Sequence, residues 1–237
     1  MSISLSRPLE TEKRSMTRDT ARRRAGDLER ALAEKTTLLH EVDHRVKNNL
    51  QLISSLLLLQ ARRAEDPVVK QALRSAQSRI NAVAIVHRRL FQGEDPGLFD
   101  VSDFVRDMVG DAIGLSGRTD ISVRLDLERT ELPTNQAAPL ALLLGELLGN
   151  VVRHAFQVGQ PGQLSVSTTV DDDLLRIEIA DNGVGLSATE SVAGFGGTIV
   201  RLMCQQLHAE CETVEANPGT RSVIRLPLWK TDPVASP

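Results

Sequence analysis

Tyrosine is missing from this chain of 237 residues, tryptophan occurs once and phenylalanine five times. With aromatics at 3%, a core has to be built mostly from Leu, Val, Ile and Ala, and the 41% hydrophobic content can supply it. Cysteine occurs twice, as Cys204 and Cys211. Two thiols are too few for a disulfide framework, and no secretory leader pattern opens the chain. The expectation is a cytoplasmic protein with both thiols reduced. No apolar run nears the length that crosses a bilayer; Leu56 to Leu59 is far too short. The net charge of −3 is too small to argue for nucleic acid or a membrane surface as the main partner, so neither is expected. The length suits one large domain or two small ones.

The first half reads as helix. Residues 1 to about 18 are polar and expected to be disordered. Segment 1–26 is then a flexible N-terminus that enters the start of a coiled-coil helix. Leu28, Leu32, Leu39, Val42, Val46, Leu50, Ile53 and Leu57 follow at near-heptad spacing, with Lys35 in one seam position. That predicts one helix from Asp27 to Asp66. A helix so long does not bury its stripe alone. Asp66-Pro67 supplies a cap and a first-turn proline for a second helix. Its stripe runs Val69, Leu73, Ala76, Ile80, Val83 and Leu90. Two such helices form a hairpin over 27–95, and two hairpins from two chains make a four-helix bundle, so a homodimer is expected.

Gly93 to Gly97 reads as a linker. Beyond it, 98–230 alternates helices and strands. Helices are expected at Val101–Leu115, Gln136–Phe156 and around Ile199–Leu207. Strands are expected at Ile121–Leu127, Leu164–Val170, Leu174–Ala180, Glu212–Ala216 and Arg221–Leu228. Helices would cover one face of an antiparallel or mixed sheet, and 231–237 is a tail.

Three segments of this half carry chemistry. Glu146, Asn150 and Arg153 recur at i, i+4 and i+7 and share one helix face, with His154 beside them. An amide oxygen suits Mg²⁺ and a cation suits phosphate. Asp181-Asn182-Gly183-Val184-Gly185 follows a strand, where glycine lets backbone approach a ligand and the carboxylate accepts its hydrogen bonds. Gly194-Phe195-Gly196-Gly197 precedes a helix, a site suited to phosphate oxygens. Gly219-Thr220 precedes the last strand.

As an ordered set these resemble the nucleotide-binding boxes of the ATP-binding fold shared by histidine kinases and gyrase-type ATPases, over about residues 100–228. The resemblance implies an α+β chain in which a helical-hairpin dimerisation domain precedes a Bergerat-type α/β sandwich. It implies that Asn150 binds Mg²⁺ and that Asp181 contacts the adenine amino group of ATP. Gly183, Gly185, Gly194, Gly196 and Gly197 would shape the lid and phosphate cradle, with Glu146, Arg153, His154 and Thr220 in the same site. Departures are a lid of about seven residues after Leu186, Gly197 where the family usually has Leu, and Arg153 where it usually has Lys.

The helical half chooses the branch. His44-Arg45-Val46-Lys47-Asn48-Asn49-Leu50-Gln51 resembles the phosphoacceptor motif of the second dimerisation class of histidine kinases, related to the HWE kinases. His44, Asn48, Gln51 and Ser55 lie on one polar face, and Val42 and Val46 lie about 200° away from His44. Imidazole is unprotonated near neutral pH and can attack phosphorus. The resemblance implies autophosphorylation of His44, with Arg45, Lys47 and Asn48 beside it, and transfer to an aspartate of a response-regulator receiver domain. Asp43 stands where these kinases more often carry His or Asn. Input would come from a longer chain or a separate sensor partner. Two other readings stand beside it: a histidine phosphotransferase or pseudokinase relay with a degenerate ATP domain, and an anti-sigma-type serine kinase, for which the His44 hairpin has no purpose.

Overall fold

The structure, a computed structural model, describes residues 24, 26, 30, 35, 37, 41, 42, 44–92, 97–157, 159–185 and 195–228. The seam residues Leu28, Leu32 and Leu39, then Asp43, the lid 186–193, Gly194 and the tail 231–237 lie outside them. Two compact units result, 1–46 and 47–237. In the first, the described residues, His44 and Arg45 among them, are helical.

The second unit opens with α1, helical over 47–63. Asp66 Oδ1 then accepts the Val68 N–H at 2.7 Å and α2 runs Pro67–Gln92, as the Asp-Pro pair predicts. Ser54 Oγ donates to Asn81 Oδ1 at 3.0 Å and ties the hairpin together. The expected stripe of α2 is only part of its packing. Val69 and Val83 stay exposed, at 47% and 39%, whereas Ala82, Ile85 and Val86 are buried. The reason is a second partner. This other face of α2 joins the core of the α/β layer, where Ala82 Cβ would stand 3.5 Å from a β-carbon placed on Gly145.

Two strands of three residues each are too short to show a period in the sequence: β1, Leu98–Asp100, pairs antiparallel with β3, Glu131–Pro133. Asp100 caps α3, Val101–Ser116, by accepting from the N–H groups of Ser102 and Asp103, and Gly117 ends it at φ 67°. The main sheet has the order β2-β4-β5-β7-β6. Its strands are β2 Ile121–Leu127, β4 Gly162–Asp171, β5 Leu174–Asp181, β6 Glu210–Glu215 and β7 Thr220–Pro227. Only β2 and β4 run parallel, so the sheet is mixed. Their connection carries a helix, as a parallel crossover needs.

That helix is not the single α-helix expected over 136–156. A 3₁₀ turn at Thr134–Gln136 leads into α4, Ala137–Asn150, which ends in a π-turn at Val151–Ala155. The last helix, α5, starts at Phe195 and ends at Leu207, four residues earlier at its start than its apolar pattern suggests. Leu164 and Val166 of β4 alternate inward with Leu175, Ile177 and Ile179 of β5. They close on Phe104, Leu140, Leu144 and Leu207 of the helices in one core. At about 25 cal/mol per Å² of apolar surface, each such side chain contributes about 1.5–3 kcal/mol. Among the described residues no helix is long and apolar enough to cross a membrane.

Candidate nucleotide site

Asp181 ends β5, and Thr220 begins β7, its neighbour in the sheet. The Asp181 side chain is buried. Its Oδ1 accepts the Gly183 N–H at 2.8 Å and the Thr220 N–H at 3.3 Å, and its Oδ2 accepts the Thr220 hydroxyl. The carboxylate thereby shapes the loop that follows it and joins it to the turn before β7. Two glycines make this close approach possible. A β-carbon on Gly183 would lie 2.0 Å from the Ala155 carbonyl oxygen. One on Gly219, at φ 91°, would lie 1.9 Å from the Asp181 carbonyl oxygen.

The Ala155 carbonyl also accepts the Val184 N–H at 2.9 Å. The π-turn thus hands a carbonyl to the glycine loop, which a continued α-helix would have kept for itself. Arg118 fixes the segment just beyond it by donating to the carbonyls of Phe156 and Gln157, each at 2.9 Å, while paired with Asp120.

On α4 the predicted stripe converges. Glu146 is buried, with 4% exposure. Arg153 folds back over Gly149, where a β-carbon would meet its Nη1 at 2.7 Å. Its Nη2 donates to Asn150 Oδ1 at 3.0 Å, and its Nε is buried without a hydrogen-bond partner. Burial pulls the Arg153 guanidinium below its ordinary range, Glu146 opposes that, and Arg79 adds to it. Glu146 Oε1 accepts Arg79 Nε at 2.6 Å. Its Oε2 lies 2.9 Å from where a β-carbon on Gly196 would stand. Residues from α2, α4 and the start of α5 therefore meet at one carboxylate.

The other expected residues are placed as follows. His154 is exposed on the π-turn, and Gly185 takes φ 81° in the loop. Gly197 lines a hollow of about 540 Å³ with Val200, Cys204 and Cys211. In the first unit His44 and Arg45 are exposed, and Arg45 pairs with Glu41 at 2.5 Å. In the second, Lys47 and Asn48 are exposed. Sequence reasoning missed Arg79, which carries no motif; the one available signal is a cation close along α2 to the small residue Ala82.

The site fits an adenine nucleotide. It offers a buried carboxylate beside a glycine loop, an orphaned guanidinium N–H and glycine backbone at a helix start.

Comparison with known proteins agrees. A family described as histidine kinase matches residues 41–115. A second, described as histidine kinase-, DNA gyrase B- and HSP90-like ATPase, matches residues 135–230. The sensor histidine kinase PdtaS of Mycobacterium tuberculosis is 30% identical over 210 residues, 85% of this chain and 42% of that protein. The blue-light-activated histidine kinase 2 of Erythrobacter litoralis is 28% identical over 216 residues, 86% of this chain and 59% of that one. The solved histidine kinase domain of an Erythrobacter litoralis blue-light-activated kinase superposes with a TM-score of 0.61 at 26% identity. That match covers 83% of this chain and 93% of the domain. The chain thus spans about half the length of the curated relatives it matches. It carries a histidine kinase segment of the HWE-related class ahead of a histidine kinase-, gyrase- and HSP90-like ATPase domain, which implies use of ATP.

Proposed function

We propose that this chain is the kinase core of a two-component system, which phosphorylates its own His44 from ATP and passes the phosphoryl group to a response-regulator aspartate. The observation that carries the reading is the joining of Asp181, Gly183 and Thr220 into one buried hydrogen-bonded wall. A carboxylate so held has a fixed oxygen to offer an exocyclic amine, which suits adenine.

In this reading Asp181 and Thr220 hold the base, and Gly183, Gly185, Gly194, Gly196 and Gly197 surround the phosphates. Arg153 steadies phosphate charge. Asn150 supplies the protein ligand to Mg²⁺, which neutralises phosphate charge when bound. Among the described residues no three His, Cys, Asp or Glu groups gather to hold a metal, so phosphate oxygens and water would complete its shell. The His44 nitrogen bonds to the γ-phosphorus in line as the bond to the β–γ bridging oxygen breaks and ADP leaves, and catalysis is mostly positioning and charge neutralisation. Arg45, Lys47 and Asn48 flank the acceptor, and His154 borders the nucleotide. The phosphoacceptor domain is assigned to 27–95 and the ATP-binding domain to 98–230, after a lead-in at 1–26 and before a tail at 231–237.

Leu52, Leu56 and Leu59 are 61%, 51% and 53% exposed on α1, which suits pairing with a second hairpin, so the working form is a homodimer. A phosphorelay partner with a receiver domain, a sensor input through the helix ahead of His44 and a cytoplasmic location complete the proposal.

Labelled ATP should yield an acid-labile, base-stable phosphoprotein. Equal labelling of His44→Gln would sink the acceptor assignment. An ATP titration by calorimetry separates this reading from a relay protein, which would give no heat.

A further inference from the structure

Glu146 stands one helical turn before Asn150 and faces the glycine-rich start of α5. If the nucleotide lies as proposed above, this carboxylate is beside its phosphates. A free carboxylate there could act as a base toward water. Water would lose its proton to Glu146 and form a bond to the γ-phosphorus. The bond to the β–γ bridging oxygen would break, and that oxygen would leave on ADP. Such hydrolysis would spend ATP without phosphorylating histidine.

The Glu146 carboxylate is held through one oxygen and sits close to the start of α5. Oε1 accepts Arg79 Nε–H at 2.6 Å, and Oε2 lies 2.9 Å from where a β-carbon on Gly196 would stand. The pair is sheltered, Arg79 being 21% and Glu146 4% exposed in their side chains, so water screens it little. Arg79 is itself held in place. It lies within one turn of Ala82 on α2, and Ala82, Ile85 and Val86 are buried in the core shared with α4. Arg153, the other cation near Glu146, is engaged with Asn150.

We propose that Arg79 is a positioning residue that holds the Glu146 carboxylate away from base catalysis of ATP hydrolysis, so that the phosphoryl group is kept for histidine. The inference rests on the nucleotide site proposed above. Because Arg79 belongs to the hairpin, this restraint on the ATP domain comes from the helix that follows the phosphoacceptor.

The test measures inorganic phosphate released from Mg²⁺-ATP by the full chain in a His44→Gln background, where histidine takes no phosphoryl group. A positioned general base is worth 10²- to 10⁴-fold. Adding Arg79→Gln should therefore raise release at least about tenfold, and further adding Glu146→Gln should return it to the starting level. Arg79→Lys, which keeps charge but loses the Nε geometry, should give a smaller rise. It also decides the matter if Arg79→Gln fails to fold. Unchanged release by a folded variant that binds ATP overturns the inference. A rise that survives Glu146→Gln overturns it too, since a loosened structure alone would produce that. ATP binding is read by calorimetry on each protein. No heat from the His44→Gln parent overturns the nucleotide reading and the inference with it, while heat with flat phosphate release overturns the inference alone.

Discussion

Arg153 reaches back across Gly149 and places its Nη2 3.0 Å from Asn150 Oδ1. The amide oxygen proposed for Mg²⁺ is thus already turned toward a positive charge by its own helix. A divalent ion and phosphate together would draw the two groups apart, the oxygen to the metal and the guanidinium to the phosphate. Asn150→Ala should lower the Mg²⁺-dependent phosphorylation rate by roughly 100-fold, since metal charge neutralisation is worth several kcal/mol. Asn150 is exposed, so the melting temperature should barely move. A fully active Asn150→Ala protein would remove this residue from the site.

Gly183→Ala tests the glycine loop. Its β-carbon would collide with backbone, 2.0 Å from the Ala155 oxygen, and no rotamer relieves that. Loss of calorimetric ATP binding is expected, with destabilisation of about 1–3 kcal/mol, typical of overpacking. Undiminished ATP affinity would show that the loop does not frame the nucleotide.

Ile85→Ala tests whether α2 is part of the ATP domain's core. Ile85 is 1% exposed, and truncation of a buried isoleucine costs about 2–5 kcal/mol. Urea unfolding should show this loss; a change under 1 kcal/mol would mean that α2 contributes little to that core.

The α3 cap has a pH signature. Burial raises the Asp100 pKa, but hydrogen bonds from the Ser102 hydroxyl and from the Asp103 and Ser102 N–H groups outweigh it and hold the pKa below the ordinary value. The folded state therefore favours the carboxylate. Its contribution is complete above the unfolded value near 3.9 and is lost as pH falls through the lower folded value. Asp100→Ala should cost about 1 kcal/mol at neutral pH, and the gap from the parent should narrow as pH falls below 4. A gap that is constant with pH would contradict the assignment.

Leu52→Glu with Leu56→Glu tests the proposed dimer. Both side chains are more than half exposed in one chain, so charge there should leave the fold intact and shift the mass measured by light scattering from dimer to monomer. An unchanged dimer would place its interface elsewhere.

Much of this arrangement was readable along the chain. The Asp-Pro start of α2, the alternation of β2 and the shared face of Glu146, Asn150 and Arg153 depend on neighbours a few residues apart, and periodicity reports such neighbours. The glycines of the Asp181 loop were legible as a type of chemistry, though not the carbonyl each one makes room for.

What the sequence by itself determined is the order of segments, the faces of each helix and the residue types that can meet ATP and carry a phosphoryl group. Only the tertiary structure decided that α2 has two working faces, that α4 ends in a π-turn, and that Arg79 closes on Glu146, 67 residues away. Local pattern cannot report these, because each follows from how separate segments fill one core. The short β1–β3 pair and the turn of Arg153 toward Asn150 belong with them: the first exists only as a pairing, the second only because Gly149 leaves room.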